Sequence, residues 1–501
     1  MKKSVSLMAM ALTLGALASC GPTTSSSGGG GSNNSYHQAG PKEITFWHCI
    51  GHDKMASLER VIEEFNAAHK NTDGYYVTAE KIAGDYDALH DAIKTRLNAG
   101  RIPSITMGYP DSFAEYIGNQ GEDRSMILKL DNFINSDSDF HPETMVQEYY
   151  EEGQSYQYDG TWSVPLYKST EVMYYNVDLF QSTKFYQEHK DDKYGSYGAI
   201  LGQPKTWDWD TLVYVADEIQ KEMGNQADFH AIGYDSDSNL FISQMAQRNI
   251  PYTTAEGEGD AHYLFYEGGK PNEQLVDLAC ELYDMAAAGT SQERSMVTQA
   301  TYGTYASDLF LQQKVMFTIG STGGSVYNDP NGKFQAALVP VPSYQNNHKY
   351  IMQGPSLCFF NTRDSAKEAA AWEFYSQFVS DPVLNAGVAL ENSYDPVRTS
   401  AYDSQVYQQW CAMGLVQDNG NPGASYSDQD NLDAAMANRI PNLTSIYAEN
   451  EWYITSDVFM GSGTAREEIG MTLAYADQSA QTTTEGKIRD ALRRVAENCV
   501  L

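Results

Sequence analysis

The sequence predicts an α/β protein built from parallel β-α-β units. Three observations lead there. Near the start of the body, strand-like and helix-like stretches alternate with short connections, the pattern of parallel units. Hydrophobic residues make up 42% of the 501-residue chain, and there are 35 Tyr, 18 Phe and 7 Trp. That is apolar surface enough for a core and far too much for a disordered chain. No apolar run reaches the ~18–20 residues that a membrane-spanning helix needs.

The elements follow in order. Ile44-Thr45-Phe46-Trp47 is β-branched and aromatic, a strand. Leu58, Val61, Ile62 and Phe65 recur at helical spacing. Residues 75–78 read as a second strand, 86–97 as a helix with Leu89, Ile93 and Leu97 four apart, and 102–107 as a third strand. Further on, 172–176, 314–319 (stopping at Gly320), 336–341 and 357–360 are strands. Thr206 or Asp208 caps a helix over 212–219, residues 366–379 form another, and the last ~60 residues are mostly helical by period.

Charge excludes one class of function. With 33 basic and 66 acidic residues the net charge is −33. Binding nucleic acid needs basic patches, and no Lys/Arg cluster is present, so nucleic acid is not an expected partner.

The N-terminus has its own logic. Lys2 and Lys3 precede a thirteen-residue apolar stretch, Val5 to Leu17, followed by Leu17-Ala18-Ser19-Cys20-Gly21. A basic start, a short apolar region and small residues make an export signal, and the terminal Cys resembles a bacterial lipobox. The expectation is a signal peptide over 1–19, with Cys20 lipidated after cleavage. Residues 20–41 include four consecutive glycines, Gly28 to Gly31, and form a flexible tether with a reach of roughly 25 Å. Removing Lys2 and Lys3 leaves 31 basic against 66 acidic side chains, a net −35. The other five cysteines, Cys49, Cys280, Cys358, Cys411 and Cys499, show no CxxC spacing and are expected as free thiols.

Motifs for catalysis or metals are weak. His48-Cys49-Ile50-Gly51-His52 supplies ligand types, but no partner at set spacing. His48 is instead expected to line a cleft, and no metal or cofactor is expected. Asp235-Ser236-Asp237-Ser238-Asn239 imitates half a calcium loop, but Leu240 and Ala246 occupy its sixth and twelfth places. A solvated turn is the expectation there. Gly320-Ser321-Thr322-Gly323-Gly324-Ser325 is not a P-loop, although its backbone N–H groups can hold a ligand oxygen.

Seven motifs then fall in order: Ile44-Thr45-Phe46-Trp47-His48; Gly84-Asp85-Tyr86; Pro103-Ser104-Ile105; Trp162-Ser163-Val164-Pro165; Tyr174-Tyr175-Asn176 with Asp178 and Phe180; Pro204-Lys205-Thr206-Trp207-Asp208; and Val315-Met316 through Gly320-Ser321. Together they resemble the extracellular solute-binding proteins of ABC importers, in particular the group that binds maltose and glycerol-3-phosphate. The resemblance spans nearly all of 42–501. It implies a two-lobe, type II periplasmic-binding-protein-like fold with a ligand cleft between α/β lobes and three hinge crossovers, near 164–169, 339–344 and 392–396. One lobe would comprise 42–166 with 343–392, the other 167–342 with 393–501.

The resemblance also implies site residues. Tyr86 matches a Tyr at the first helix start, and Asp111 stands approximately where relatives have Glu. Ser169 matches a crossover Ser, beside Lys168, which is atypical. Ser321, Gly354 and Tyr394 match further cleft positions. The Arg that relatives place beside phosphate falls near Thr444, which argues against phosphate unless Lys168 or Arg398 compensates. Trp47, Trp207 and Trp452 offer faces for sugar C–H groups. The function implied is a monomeric lipoprotein held at the outer face of the cytoplasmic membrane. It would capture a sugar or polyol and hand it to permease subunits. Glycerol-3-phosphate or a glycerophosphodiester is the alternative ligand, and an anchored glycoside hydrolase the alternative of another class.

Overall fold

The computed structural model describes residues 39–97, 101–118, 125–226, 228–254, 262–286, 294–330, 332–408, 453–454 and 458–499. Cys20, Cys411, Thr444 and Trp452 lie outside them.

The chain opens with β1 (Glu43–His48), α1 (Ala56–His69), β2 (Tyr76–Lys81), α2 (Tyr86–Leu97), β3 (Ile105–Gly108) and α3 (Pro110–Ile117). β1 pairs in parallel with both β2 and β3, so the alternation read from the sequence is a set of β-α-β units. α1 buries Leu58, Val61, Ile62, Phe65 and His69, one stripe at helical period. Phe65 meets Phe374 edge to face at 5.3 Å. Burying such a side chain contributes ~1.5–3 kcal/mol.

The first sheet runs β2-β1-β3, then the strand Ser356–Phe359, then β4 (Val164–Pro165). The second is centred on β5 (Ser169–Asn176). Its order is Met296–Thr298, His230–Tyr234, Val315–Ser321, β5, Tyr350–Gln353 and Tyr453–Ile454, with Ala336–Pro340 also paired to β5. Two sheets, each with its own helices, give the two-lobe α/β fold.

Several local expectations are refined. Asp208, not Thr206, caps the helix Trp209–Met223, accepting from Thr211 N at 2.8 Å. The strand expected to stop at Gly320 runs on to Ser321. The helix expected over 366–379 is α-helical only for Ser365–Glu373 and then widens into a π-helix, Phe374–Val379. Ser380 N reaches back five residues to Tyr375 O at 2.9 Å, while Phe374 and Tyr375 are fully buried among aromatics.

The acids expected in a solvated turn are instead part of the interior. Ser236 caps the helix Asp237–Gln247. Asp235 accepts from Ser307 N at 3.0 Å and Asp237 from Ala300 N at 2.9 Å. Burial pushes both carboxyls up to about 6.

The crossings differ from expectation in two places. β4 lies in the first sheet and β5 in the second, so the chain first crosses between them. Tyr350–Gln353 still pairs with β5, so the return falls at Gly354–Pro355, after the expected 339–344. Residues 392–396 touch the hinge, with Lys168 N donating to Asp395 O at 3.1 Å. Yet 397–403 remain on the first lobe. Val146 N donates to Val397 O at 2.9 Å, and the helical turn Thr399–Asp403 packs on the helix Pro382–Glu391. A polypeptide beside the hinge need not pass through it.

Candidate functional site

The ends of β1 and β3, the start of α2 and the crossing segments converge on one cleft, as expected for ligands at the carboxyl ends of open α/β sheets. Tyr86, the first residue of α2, lies 4.5 Å from Tyr109 between ring centroids. Tyr167 and Tyr394, from two hinge segments, lie 4.5 Å apart, and the Tyr86 side chain lies beside the Tyr394 hydroxyl. Burial pushes all four hydroxyls above the ordinary tyrosine range. They therefore stay neutral and can both donate and accept. Burial likewise raises the neighbouring Cys49 thiol to about 12, so it stays protonated.

The second lobe supplies hydroxyls. Ser169 Oγ lies 3.3 Å from Ser321 Oγ, and Ser321 Oγ accepts from Gly323 N at 3.1 Å. Gly323 has no room for a side chain: a Cβ there would lie 2.7 Å from Tyr394 Cζ.

Charge enters through three residues. Ser462, at the start of the helix Ser462–Gly470, donates to Asp111 Oδ1 in the first turn of α3. Arg466, one turn on, donates to Asn239 Oδ1 at 2.6 Å. Asn239 Nδ2 donates to Glu171 Oε1 at 2.8 Å, and Tyr234 Oη donates to Glu171 Oε2. Burial raises Glu171 to about 7, against the opposing pull of Tyr234, Asn239 and Arg466.

The expected site residues divide into two groups. Tyr86, Asp111, Ser169, Ser321 and Tyr394 come together at the cleft. Trp47 and His48 end β1 and are 5% and 2% exposed. The Arg96 guanidinium covers the Trp47 ring at 4.3 Å. Burial, then Lys81, lowers His48 to about 4, so it is neutral at physiological pH. Trp207 is also buried, edge-on to Phe180 and Phe317.

Lys168 and Gly354 build the hinge. Lys168 has no exposed surface. Its ammonium donates to Glu152 Oε2, to Gly354 O at 3.0 Å and to Ser356 Oγ at 3.0 Å. Ser356 Oγ in turn donates to Glu152 at 3.0 Å. Gly354, with φ +98°, brings the return crossing against the outgoing one: a Cβ there would lie 2.7 Å from Tyr167 O. Arg398 is similarly internal, donating to Ser380 O, Thr144 Oγ1 and His141 O. Neither cation is available to compensate for a missing phosphate-side Arg.

Arg466, Glu171, Tyr109 and Tyr167 were not singled out from the sequence. Tyr109 and Tyr167 each adjoin residues that were, Asp111 and Lys168. Arg466 carries no local signal, because only the fold brings its helix against Asp237–Gln247. Among the described residues, no three His, Cys, Asp or Glu side chains group as a metal site.

No curated protein sequence matches the chain. UgpB from Mycobacterium tuberculosis, solved with glycerophosphocholine, is 15% identical at a TM-score of 0.62, covering 92% of this chain and 98% of that one. The sugar-binding protein MalE from Xanthomonas citri is 16% identical at 0.60, covering 91% and 97%. The substrate-binding protein Lmo0181 from Listeria monocytogenes, solved with cycloalternan, is 16% identical at 0.58, covering 91% and 98%. At these identities the likeness is one of fold, and it agrees with the two lobes described above. Residues 60–414 match the bacterial extracellular solute-binding proteins, and the chain belongs to that family.

Proposed function

We propose that this protein is the capture subunit of an ABC importer for a neutral sugar or oligosaccharide. The cleft carries the argument. Three neutral tyrosines, Tyr86, Tyr109 and Tyr394, supply apolar ring faces and hydroxyls together, with the buried Tyr167 packed behind Tyr394, and Ser169, Ser321, Asp111 and Arg466 add donors and acceptors around them. A sugar ring presents C–H faces to aromatics and hydroxyls to such groups. A thermal-shift screen over oligosaccharides, polyols and glycerophosphodiesters tests this. A ligand at 100 times its Kd adds ~2.7 kcal/mol of stability. Stabilisation by no sugar or polyol would refute the reading.

One observation favours a second reading. Arg466 places a guanidinium in the cleft, with most of its N–H donors beyond the Asn239 bond. A guanidinium fork suits phosphate, so a glycerophosphodiester is the alternative cargo. Calorimetry separates the two. Affinity for a neutral sugar is nearly independent of salt, whereas a phosphate ligand loses affinity as salt screens Arg466.

The sequence around Cys20 supports lipid anchoring outside the cytoplasmic membrane, with the Gly-rich segment as tether. Cys20→Ala is expected to release the protein from membrane fractions or stall its processing. A processed variant that stays membrane-bound would refute the anchor.

A further inference from the structure

The second lobe carries a groove whose chemistry the cleft does not use. It opens between the hairpin of Lys193–Tyr194 and Ala199–Ile200, the first turns of the helix Trp209–Met223, and the C-terminal half of the helix Asp237–Gln247. Its volume is about 900 Å³, the size of a small-molecule site.

Its walls are aromatic. Tyr194 and Tyr214 stack at 4.2 Å and 8° between planes. Tyr344 forms a third face, with the Arg248 guanidinium 4.1 Å from its centroid. Arg248 is neutralised by Glu281 at 2.7 Å.

Two donors in these walls have no partner. Trp209 Nε1 and Gln244 Nε2 are buried and unpaired. Their residues are 3% and 1% exposed, and both line the groove. Buried polar groups are nearly always hydrogen-bonded, so each orphan calls for an explanation. Both nitrogens are closed off within the wall, and Arg248 Nε donates to the Gln244 amide oxygen at 3.5 Å, so an acceptor delivered from the groove meets them only once the wall opens toward it. The terminal torsion of a glutamine is soft, so the Gln244 amide can turn toward an occupant.

The groove is separate from the cleft. Asn239, on the same helix, belongs to the Glu171–Arg466 network. Gln244 and Arg248 lie roughly 7.5 and 13.5 Å further along the axis at 1.5 Å per residue.

The lining narrows the ligand class. A simple cation brings no acceptor for the orphan donors. An anion would meet the Asp210 and Asp217 carboxylates. A neutral polyhydroxylated ring offers oxygens to Trp209 and Gln244, hydroxyl donors to the carboxylates, and C–H faces to the tyrosines. We infer that this groove is a second carbohydrate-binding site, taking one neutral sugar unit or the end of a glycan independently of what the cleft holds.

Saturation-transfer NMR on the mature protein tests this, with millimolar maltotetraose, cellotetraose and mannotetraose as probes. At least one is expected to give a signal that Tyr194→Ala and Gln244→Met each weaken fivefold or more, and that the cleft substitution Tyr86→Ala leaves intact. Tyr194 sits half-buried on a surface hairpin, so that variant remains informative if Gln244→Met fails to fold. The inference is overturned if none of the three probes gives a signal sensitive to the groove substitutions, or if Tyr86→Ala removes it instead. Ordered water alone on both orphan donors, in a crystal soaked with the sugars, also overturns it. Because the groove signal survives loss of the cleft, failure of the cleft reading and failure of this one are distinguishable.

Discussion

Replacing Lys168 separates a hinge residue from a ligand residue. Its ammonium is enclosed by Glu152, Ser356 and the Gly354 carbonyl, with no exposed surface. In Lys168→Met the Glu152 carboxylate, itself 7% exposed, keeps Ser356 Oγ but loses its counter-charge. Removing one partner of a buried ion pair costs ~3–5 kcal/mol. Replacing both partners by neutral groups costs much less, because no charge stays stranded. The double variant Lys168→Met/Glu152→Gln is therefore expected to be at least ~1.5 kcal/mol more stable than Lys168→Met, read by urea titration as a double-mutant cycle. The Glu152→Gln single adds a pH signature. Burial lowers the Lys168 pKa, so the folded state disfavours the charged amine, and stability of that variant rises as pH climbs toward the ordinary lysine range. A Lys168→Met loss below ~1 kcal/mol, combined with abolished ligand binding, would refute the hinge role and restore Lys168 to the site.

Other expected outcomes follow from single contacts. Gly323→Ala forces its Cβ toward the Tyr394 ring, so it should weaken ligand binding and enlarge the unliganded particle in solution scattering; unchanged scattering and affinity would argue against contact closure at that point. Glu171, raised to about 7 by burial, binds a proton in the folded state that the unfolded chain releases near pH 4.3. Stability from this group is thus full below about pH 4 and is lost as pH rises through about 7; Glu171→Gln should flatten that slope in thermal melts between pH 5 and 8. Arg466→Gln should abolish micromolar binding of any glycerophosphodiester while lowering sugar affinity only several-fold, and calorimetry showing equal losses for both would mean that Arg466 holds a hydroxyl rather than a charge.

How much was legible depended on whether a residue acts through its neighbours in sequence or in space. The strands and helices of the first lobe declare themselves by period. α1 shows the stripe that packs it, and Tyr86 opens α2 at the end of a β-α connection, a place the fold class itself marks. The hinge was harder. Lys168 is expected at the ligand because it adjoins the crossover Ser169, and nothing local marks it as a hinge residue. Its partners Glu152 and Ser356 stand 16 and 188 residues away, and only the pairing of crossings assembles them. The resemblance places the second crossing near 339–344, because the short strand Tyr350–Gln353 that returns to β5 has no alternation to announce it.

Arg466 shows the same limit with a chemical consequence. Thr444 stands where relatives keep an Arg, which counts against phosphate only if a binding group is a position in the chain. Physically it is a charge at a place, and the helix Ser462–Gly470 delivers one to the cleft from elsewhere in the sequence. Arg466 does not stand alone there, however. Asn239 couples it to Glu171, and Asp111 lies under the start of the same helix. A phosphate entering would meet one guanidinium with two carboxyl groups nearby, one of which gains its charge as pH passes about 7. A sugar hydroxyl can donate to the carboxylates and accept from the guanidinium in the same place, and needs no proton exchange to do so. The mixed charge at this end of the cleft therefore supports the proposed neutral cargo even though a cation is present.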